Sequence, residues 1–197
     1  NHMSLLNTTG DCMDVSIEEY GPLAFLAGSW VGERGTDVAP APDRGTETNK
    51  FREEMHFEPV GQVDNHEQML FGLRYRTMAW EEGEADPFHE VLGYWLWDAE
   101  NGKVLRCFIV PRGVTVNAGG TAEKDAQSFE LSATVGSDIY GICSNEFLDR
   151  EFKTVQYDLK VTQIDENTFS YEEDTQLKIK GKDELFHHKD KNILKRM

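Results

Sequence analysis

Apolar and polar residues alternate with a period of two along most of this chain, and this pattern constrains the fold more than any other feature of the sequence. In the segment TFSYEEDTQLKI, Phe169, Tyr171 and Leu177 fall on one face, whereas Glu172 and Lys178 fall on the other. Successive side chains of a strand point to opposite faces, so each such run predicts a half-buried strand. Roughly nine or ten of these runs follow one another, and most are joined by short turns.

Short connections favour antiparallel pairing, because parallel strands need long crossovers. The clearest hairpin is HEVLGYWLWDAENGKVLRCFIVPRG, in which Asn101-Gly102 can supply the positive φ angles of a tight turn. A sheet of so many strands removes its exposed edges by closing on itself. The sequence therefore predicts an all-β fold, a single antiparallel up-and-down β-barrel of about ten strands. A short N-terminal helix is expected to begin at Pro22 and to stop at Gly28.

The length of 197 residues favours one domain. Residues 1–20 are polar and acidic, and we expect them to form a flexible N-terminal arm. Residues 1–3 of this arm resemble the remnant of an expression tag. Residues 21–197 are assigned to the ligand-binding barrel, since barrels of this size can hold one small ligand inside.

The formal net charge of -16 arises from 36 acidic and 20 basic residues. Nucleic acid is not an expected partner, because its binding depends on Lys and Arg neutralising phosphates. No run approaches the roughly 20 apolar residues that span a bilayer, so no membrane insertion is expected. The start of the sequence lacks the pattern of a signal peptide, and a cytoplasmic location is predicted. The oligomeric state stays open, with a homodimer among the options.

The sequence does not contain the usual signatures of hydrolases or zinc sites. Its three cysteines, Cys12, Cys107 and Cys143, are odd in number and form neither a Cys-x-x-Cys pair nor a close cluster with histidine, which argues against a disulfide framework and against a zinc site. No His-Glu-x-x-His motif, nucleophile elbow or phosphate-binding loop is present. Whether the protein is an enzyme is therefore left open at this stage.

The most distinctive segment is AGSWVGERGTD, which contains Gly28, Trp30 and Gly32. Glycines permit close backbone approach, and the large indole of Trp30 can fill an apolar space. The simplest interpretation of Trp30 is that it closes one end of the barrel.

Gly-x-Trp-x-Gly, followed by PFHEVLGYWLW and by a histidine before the terminal ILKR, resembles nitrobindin. This haem-binding β-barrel family is similar in structure to fatty-acid-binding proteins and lipocalins, and the resemblance runs from about Gly21 to the C-terminus. It implies that the barrel binds haem b through one axial histidine near the C-terminus. It also assigns Gly28, Trp30 and Gly32 to the cofactor-binding site. Nitric oxide binding and isomerisation of peroxynitrite to nitrate are the activities that it implies.

The chain departs from the nitrobindin pattern in two places. Arg34 stands where the family has a third glycine, and DVAPAPDRGTETN replaces a Tyr-Pro-Thr segment. The family's ligand histidine precedes a pair of large residues by four positions. Counting back from Ile193 lands on Lys189, so His188 lies one residue away from the expected position.

Side-chain parity allows at most one of His187 and His188 to face inward. An uninterrupted strand that continues the face of Leu177 selects His187, whereas a turn or bulge around Gly181 selects His188. We favour His188 as the metal ligand, with His187 as second choice, because an unbroken strand would be unusually long. The alternative is that neither binds iron and both belong to a solvated terminal strand.

The leading functional hypothesis is a binding protein for a small hydrophobic ligand, with haem b as the first candidate and peroxynitrite isomerisation as its possible activity. One alternative is a haem-free fatty-acid carrier with a basic anchor, for which Arg74, Arg106 and Arg112 are candidates. Another is an interaction domain with a packed interior and no ligand. His89 is expected to be a hydrogen-bonded residue at a strand edge. The candidate pocket walls are Phe71, Leu73, Tyr75, Trp95, Phe108, Val110 and Tyr171.

Overall fold

A computed structural model describes residues 15–197, so Cys12 and most of the predicted arm lie outside the described residues. Nearly all of the described chain is extended. The elements in chain order are a 3₁₀ helix (Ile17–Leu26), β1 (Gly28–Pro40), β2 (Thr46–Asp64), β3 (Met69–Glu81), β4 (His89–Asp98), β5 (Lys103–Val110), β6 (Val114–Thr121), β7 (Ser128–Thr134), β8 (Ile142–Ser144), α1 (Glu146–Glu151), β9 (Phe152–Asp165), β10 (Thr168–Ile179) and β11 (Phe186–Arg196).

The strands form a closed antiparallel barrel. From β1 to β7 each strand pairs with the next, β9 to β11 do the same, and β7 pairs with β9. Pairing of β1 with β11 closes the ring at ten strands. The three-residue β8 lies beside β6 and is not a member of the ring. The predicted all-β barrel of about ten strands with a short N-terminal helix is therefore confirmed.

The 3₁₀ helix packs over the end of the barrel at which β1 begins. Leu23 and Leu26 are fully buried there, and the Tyr20 hydroxyl accepts a hydrogen bond from the Gly61 amide at 2.8 Å. The helix starts at Ile17, earlier than the expected start at Pro22, because Gly21 with φ of 54° joins two short turns across a kink. Tyr20 was assigned to the polar arm, but its buried ring anchors the first part of this helix. Within residues 15–197, no helix combines the length and apolar character needed to cross a membrane.

The hairpin between β4 and β5 differs in detail from the expected tight turn. Asp98 pairs with Lys103, so four residues form the loop, and Gly102 has a φ of 60° whereas Asn101 does not adopt a positive φ. The Asp98 carboxylate instead accepts hydrogen bonds from the backbone and side-chain amides of Asn101, at 3.1 and 2.9 Å. Hydrogen bonds to the Asp98 side chain therefore stabilise this four-residue loop, and Asn101 does not need the positive φ that a two-residue turn would require of it.

Candidate ligand-binding site

The barrel interior contains a cavity of about 650 Å³, which lies between the packed end and the opposite rim. Small-molecule sites typically measure roughly 300–1,000 Å³, so the space suits a compact ligand. Its rim is formed by the β1–β2 connection at Ala41 and Pro42, by Phe88 before β4, by Arg112 and by Phe147 of α1. A cavity of this size argues against the packed-interior alternative.

The walls are mainly aromatic and aliphatic. Five of the seven residues expected in the walls line the cavity: Tyr75, Trp95, Phe108, Val110 and Tyr171. The other two, Phe71 and Leu73, are buried in the packed end, where the ring of Phe71 lies 5.7 Å from that of Tyr20. Alternation correctly predicted that these side chains point inward. Whether an inward side chain lies in the cavity or in the packed end depends on where the helix packs.

His188 faces the cavity, whereas His187 faces the outside of the barrel. The turn between β10 and β11, in which Gly181 has a φ of 88°, interrupts the strand and resets its parity. The inward face of β11 then carries His188, Asp190, Asn192 and Leu194. The inward position of His188 therefore agrees with the prediction of a turn around Gly181, and not with that of a continuous strand.

Each of the two histidines contacts a different aspartate. His188 Nε2 lies 2.7 Å from Oδ1 of Asp37 on β1, inside the barrel. His187 Nδ1 lies 2.7 Å from Oδ2 of Asp174 on β10, on the outer surface. The two pairs are therefore similar in geometry and opposite in location.

Asp190 extends the inner pair into a cluster. Asp37 and Asp190 are direct partners in the register of β1 and β11, and one ligand atom from each of Asp37, His188 and Asp190 lies within 4.8 Å of the others. Burial raises the pKa of the Asp190 carboxyl well above its usual value, and the neighbouring Glu173 raises it further. A carboxyl that is costly to ionise thus lies beside the inward histidine.

Arg106 is the centre of a buried polar network in the cavity wall. Its Nη1 donates hydrogen bonds to Glu173 Oε2 at 2.8 Å and to the Tyr157 hydroxyl, and its Nη2 donates to the Tyr75 hydroxyl at 3.3 Å. Its guanidinium also lies 4.2 Å from the centre of the Phe108 ring. Burial by itself raises the pKa of Glu173, but the charge of Arg106 and hydrogen bonds to the carboxylate outweigh it and lower that pKa. Arg106 and Glu173 therefore form a buried ion pair.

Glu53 is a second buried carboxyl, with 3% of its surface exposed. Its Oε1 accepts hydrogen bonds from the Tyr171 hydroxyl at 2.6 Å and from Asn192 Nδ2 at 3.0 Å. Burial raises the pKa of Glu53 to about 7, although both hydrogen bonds act in the opposite direction. This side chain consequently changes its charge near neutral pH.

Glu53→Gln is expected to remove a pH-dependent contribution to stability. The folded-state pKa of Glu53 exceeds its ordinary value, so the folded state binds this proton more tightly than the unfolded state does. The stability gained from protonation is therefore lost as the pH rises through about 7. Relative to Glu53→Gln, the wild-type free energy of unfolding should fall by about 2–3 kcal/mol between about pH 5 and pH 8. Urea denaturation of both proteins across this range measures the difference, and a pH-independent difference would contradict the shift.

Glu53 and Glu173 were not predicted as functional residues, and Arg106 was predicted only as a possible anchor. Each interrupts an apolar face: Glu53 falls between Phe51 and Met55 in the alternation of β2. A charged residue at an inward position was the signal that would have identified all three. His89, expected at a strand edge, lines the cavity, and burial lowers its pKa and keeps the imidazole neutral.

Trp30, Gly28 and Gly32 do not line the cavity. Trp30 is fully buried in the packed end, and its Nε1 donates a hydrogen bond to the Leu26 carbonyl at 2.8 Å. Gly28 has a φ of 120°, and a Cβ at Gly32 would lie 2.3 Å from Asn192 Nδ2. These positions shape the packed end and let β11 approach β1. Their direct contact with a cofactor stays a prediction.

The family model for the THAP4-like, heme-binding beta-barrel domain matches residues 19–196 of this chain, which is nearly its whole length. The chain belongs to this family. The resemblance to nitrobindin inferred from the sequence motifs is thereby confirmed.

A solved structure shares the fold of this chain. The crystal structure of Rv2717c from M. tuberculosis is similar to it with a TM-score of 0.65 and 23% sequence identity, over 89% of this chain and 94% of that one. A comparison with curated proteins found no match.

For a haem-binding barrel, the cavity offers two histidines in the described part of the chain, His188 and His89. His188 Nδ1 has no hydrogen-bond partner within residues 15–197, since the contact with Asp37 uses Nε2. An imidazole held by a carboxylate through one nitrogen can use the other as a metal ligand. The donor set and the aromatic walls therefore fit a haem group.

Proposed function

We propose that this barrel binds haem b in its cavity, with His188 as the axial ligand. The observation that carries the proposal is the position of an imidazole in the wall of an aromatic cavity of about 650 Å³. Membership of a haem-binding family supports the same conclusion. A bound haem would supply iron chemistry toward nitric oxide and peroxynitrite, and peroxynitrite isomerisation is the activity that we propose to follow from it.

The chain's own residues would orient the ligand and limit access to it. His188 Nε2–H would donate to Asp37 and so fix the orientation of the ring, which leaves Nδ1 available as a ligand atom. The rings of Phe57, Trp95 and Phe108 would exclude water from the interior.

Titration with hemin is the direct test, with His188→Ala and His187→Ala compared with the wild type. We expect a Soret band that saturates near about one equivalent in the wild type and in His187→Ala, and a strong loss in His188→Ala. His187 is the matched control, because it lies on the outer face of β11 and makes an equivalent contact with Asp174 of β10. A shallow response, unchanged in either variant, would contradict the proposal. Circular dichroism would verify that each variant is folded.

A fatty-acid carrier is the second candidate, and one observation favours it. Arg106 lines the cavity, and its buried Nε has no hydrogen-bond partner within the described residues. Arg74 is not suitable as an anchor, because it lies on the outer surface in an ion pair with Glu58. The charge of Arg106 is already neutralised by Glu173, which makes this candidate the weaker one. Binding of a fluorescent fatty acid that unlabelled fatty acid displaces, and that is lost in Arg106→Met, would support this candidate.

A further inference from the structure

The inner aspartate pair between β1 and β11 is electrostatically unusual. Asp37 and Asp190 are directly opposite each other in the register, and both side chains line the cavity. Like charges at directly opposed positions of an antiparallel pair destabilise the sheet. Arg106, a buried cation of the cavity wall, is ion-paired with Glu173, and neither aspartate has a Lys or Arg partner within residues 15–197. Within residues 15–197, the basic partner of this pair is therefore the imidazole of His188, which contacts Asp37.

Asp190 also contains an oxygen atom without a partner. Its Oδ1 is inaccessible to solvent and makes no hydrogen bond to the described residues. A buried carboxylate oxygen without a partner is costly, and native structures normally satisfy such an atom with a donor, a water molecule or an ion. This atom belongs to the same cluster in which Asp37 and His188 already lie 2.7 Å apart. A cation bound among these three side chains is one group that would give this oxygen a partner.

We propose that Asp37, His188 and Asp190 bind a divalent transition-metal cation such as Zn²⁺ when the barrel contains no haem. Two carboxylate oxygens and one imidazole nitrogen form a donor set that suits Zn²⁺ and neighbouring first-row metals. One ligand atom from each residue lies within 4.8 Å of the others, so small side-chain rotations bring all three onto one ion. Three protein ligands leave a coordination position open toward the cavity.

This site shares His188 with the proposed haem site, but it does not depend on haem binding. The cation would belong to the haem-free barrel, and the two ligands would compete for one imidazole. Asp190 distinguishes them, because it is a ligand of the cation and has no part in the proposed binding of haem. The outer pair of His187 and Asp174 is a natural control, because its two side chains are also 2.7 Å apart. The residue directly opposite Asp174 is Lys189, whereas the residue opposite Asp37 is the carboxylic acid Asp190.

The test is titration of metal-stripped, haem-free protein with Zn²⁺ by calorimetry and with Co²⁺ by visible absorption. We expect binding of about one equivalent, weakened by at least about tenfold in Asp37→Asn and in Asp190→Asn and unchanged in Asp174→Asn. Asn is nearly isosteric with Asp, so both inner variants are expected to fold. Co²⁺ bands that disappear in both inner variants would place the ion at the cluster.

The proposal is overturned if no saturable binding occurs, or if Asp37→Asn and Asp190→Asn bind both metals as tightly as the wild type. Hemin binding is measured on the same proteins, so that failure of the cation site can be distinguished from failure of the haem site. Retention of the Soret band in Asp190→Asn together with loss of Zn²⁺ binding supports both. Saturable Zn²⁺ binding without any Soret band supports the cation site and contradicts the haem site.

Discussion

Arg106→Met is expected to lower the free energy of unfolding by about 3–5 kcal/mol, the largest electrostatic effect that we predict for this protein. Arg106 is 5% exposed, and its Nη1 lies 2.8 Å from the carboxylate of Glu173. Removing the guanidinium leaves Glu173 inside the barrel without a cation, and the hydroxyls of Tyr75 and Tyr157 lose a shared partner. The cost therefore arises from the charge left behind and not from the intrinsic strength of the ion pair.

Urea denaturation of Arg106→Met, Glu173→Gln and the double variant tests this explanation. The double variant should recover part of the loss, because it removes both charges together, and the coupling between the two sites should exceed about 1 kcal/mol. A single Arg106→Met variant that is as stable as the wild type would show that Glu173 is well solvated. Equal effects of the single and double variants would mean that packing, and not charge, causes the loss.

Trp30→Ala is expected to destabilise the fold by about 3–5 kcal/mol through the cavity that it creates. Trp30 is fully buried, its ring lies 4.8 Å from that of Phe169, and the guanidinium of Arg196 lies 4.2 Å above it. Its Nε1 also donates to the carbonyl of Leu26, so the substitution removes the link between the 3₁₀ helix and β1. Thermal and urea denaturation measure the loss.

Trp30→Phe is the matched variant, because it keeps an aromatic ring in the packed end while it removes the hydrogen bond. It should cost clearly less than Trp30→Ala. Since Trp30 does not line the cavity, Trp30→Phe should bind hemin with an unchanged Soret maximum if the haem proposal holds. A shifted maximum would instead indicate that Trp30 contacts the cofactor, as the nitrobindin resemblance implied.

The acidity of the inner wall gives these predictions a common basis. Glu53, Glu173, Asp37 and Asp190 line the cavity together with Arg106, a buried positive charge. Their charges are tolerated through a raised pKa, an ion pair or a contact with His188. A ligand that brings positive charge or accepts an imidazole would therefore stabilise the barrel, and thermal stabilisation by hemin or Zn²⁺ is the expected consequence.

Local rules determined much of this fold. Period-two alternation located the strands, and the number of strands with short connections required a closed barrel, because an open sheet of that size leaves exposed edges. The same alternation identified five of the cavity-lining residues. It also contained an unused signal at Glu53 and Glu173, where a charge stands on an apolar face.

Local rules failed where packing or a turn decided the outcome. The turn that precedes the Gly21 kink is part of the 3₁₀ helix, and the ring of Tyr20 in this turn packs against Phe71, a contact that helix propensity does not reveal. The choice between His187 and His188 depended on whether the strand continued through Gly181. Parity is reset by one turn, so a single local event reverses the direction of every side chain that follows.

The sequence by itself determined an antiparallel β-barrel of the nitrobindin type with a histidine near its end. The tertiary structure alone decided which charges meet inside it. Asp37 and His188 lie 151 positions apart, and Glu53 and Tyr171 lie 118 apart, yet both pairs are in hydrogen-bonding contact. Pairing of β1 with β11 closes the ring and brings these residues together. Such contacts depend on the register and curvature of the complete barrel, which alternation within single strands does not specify.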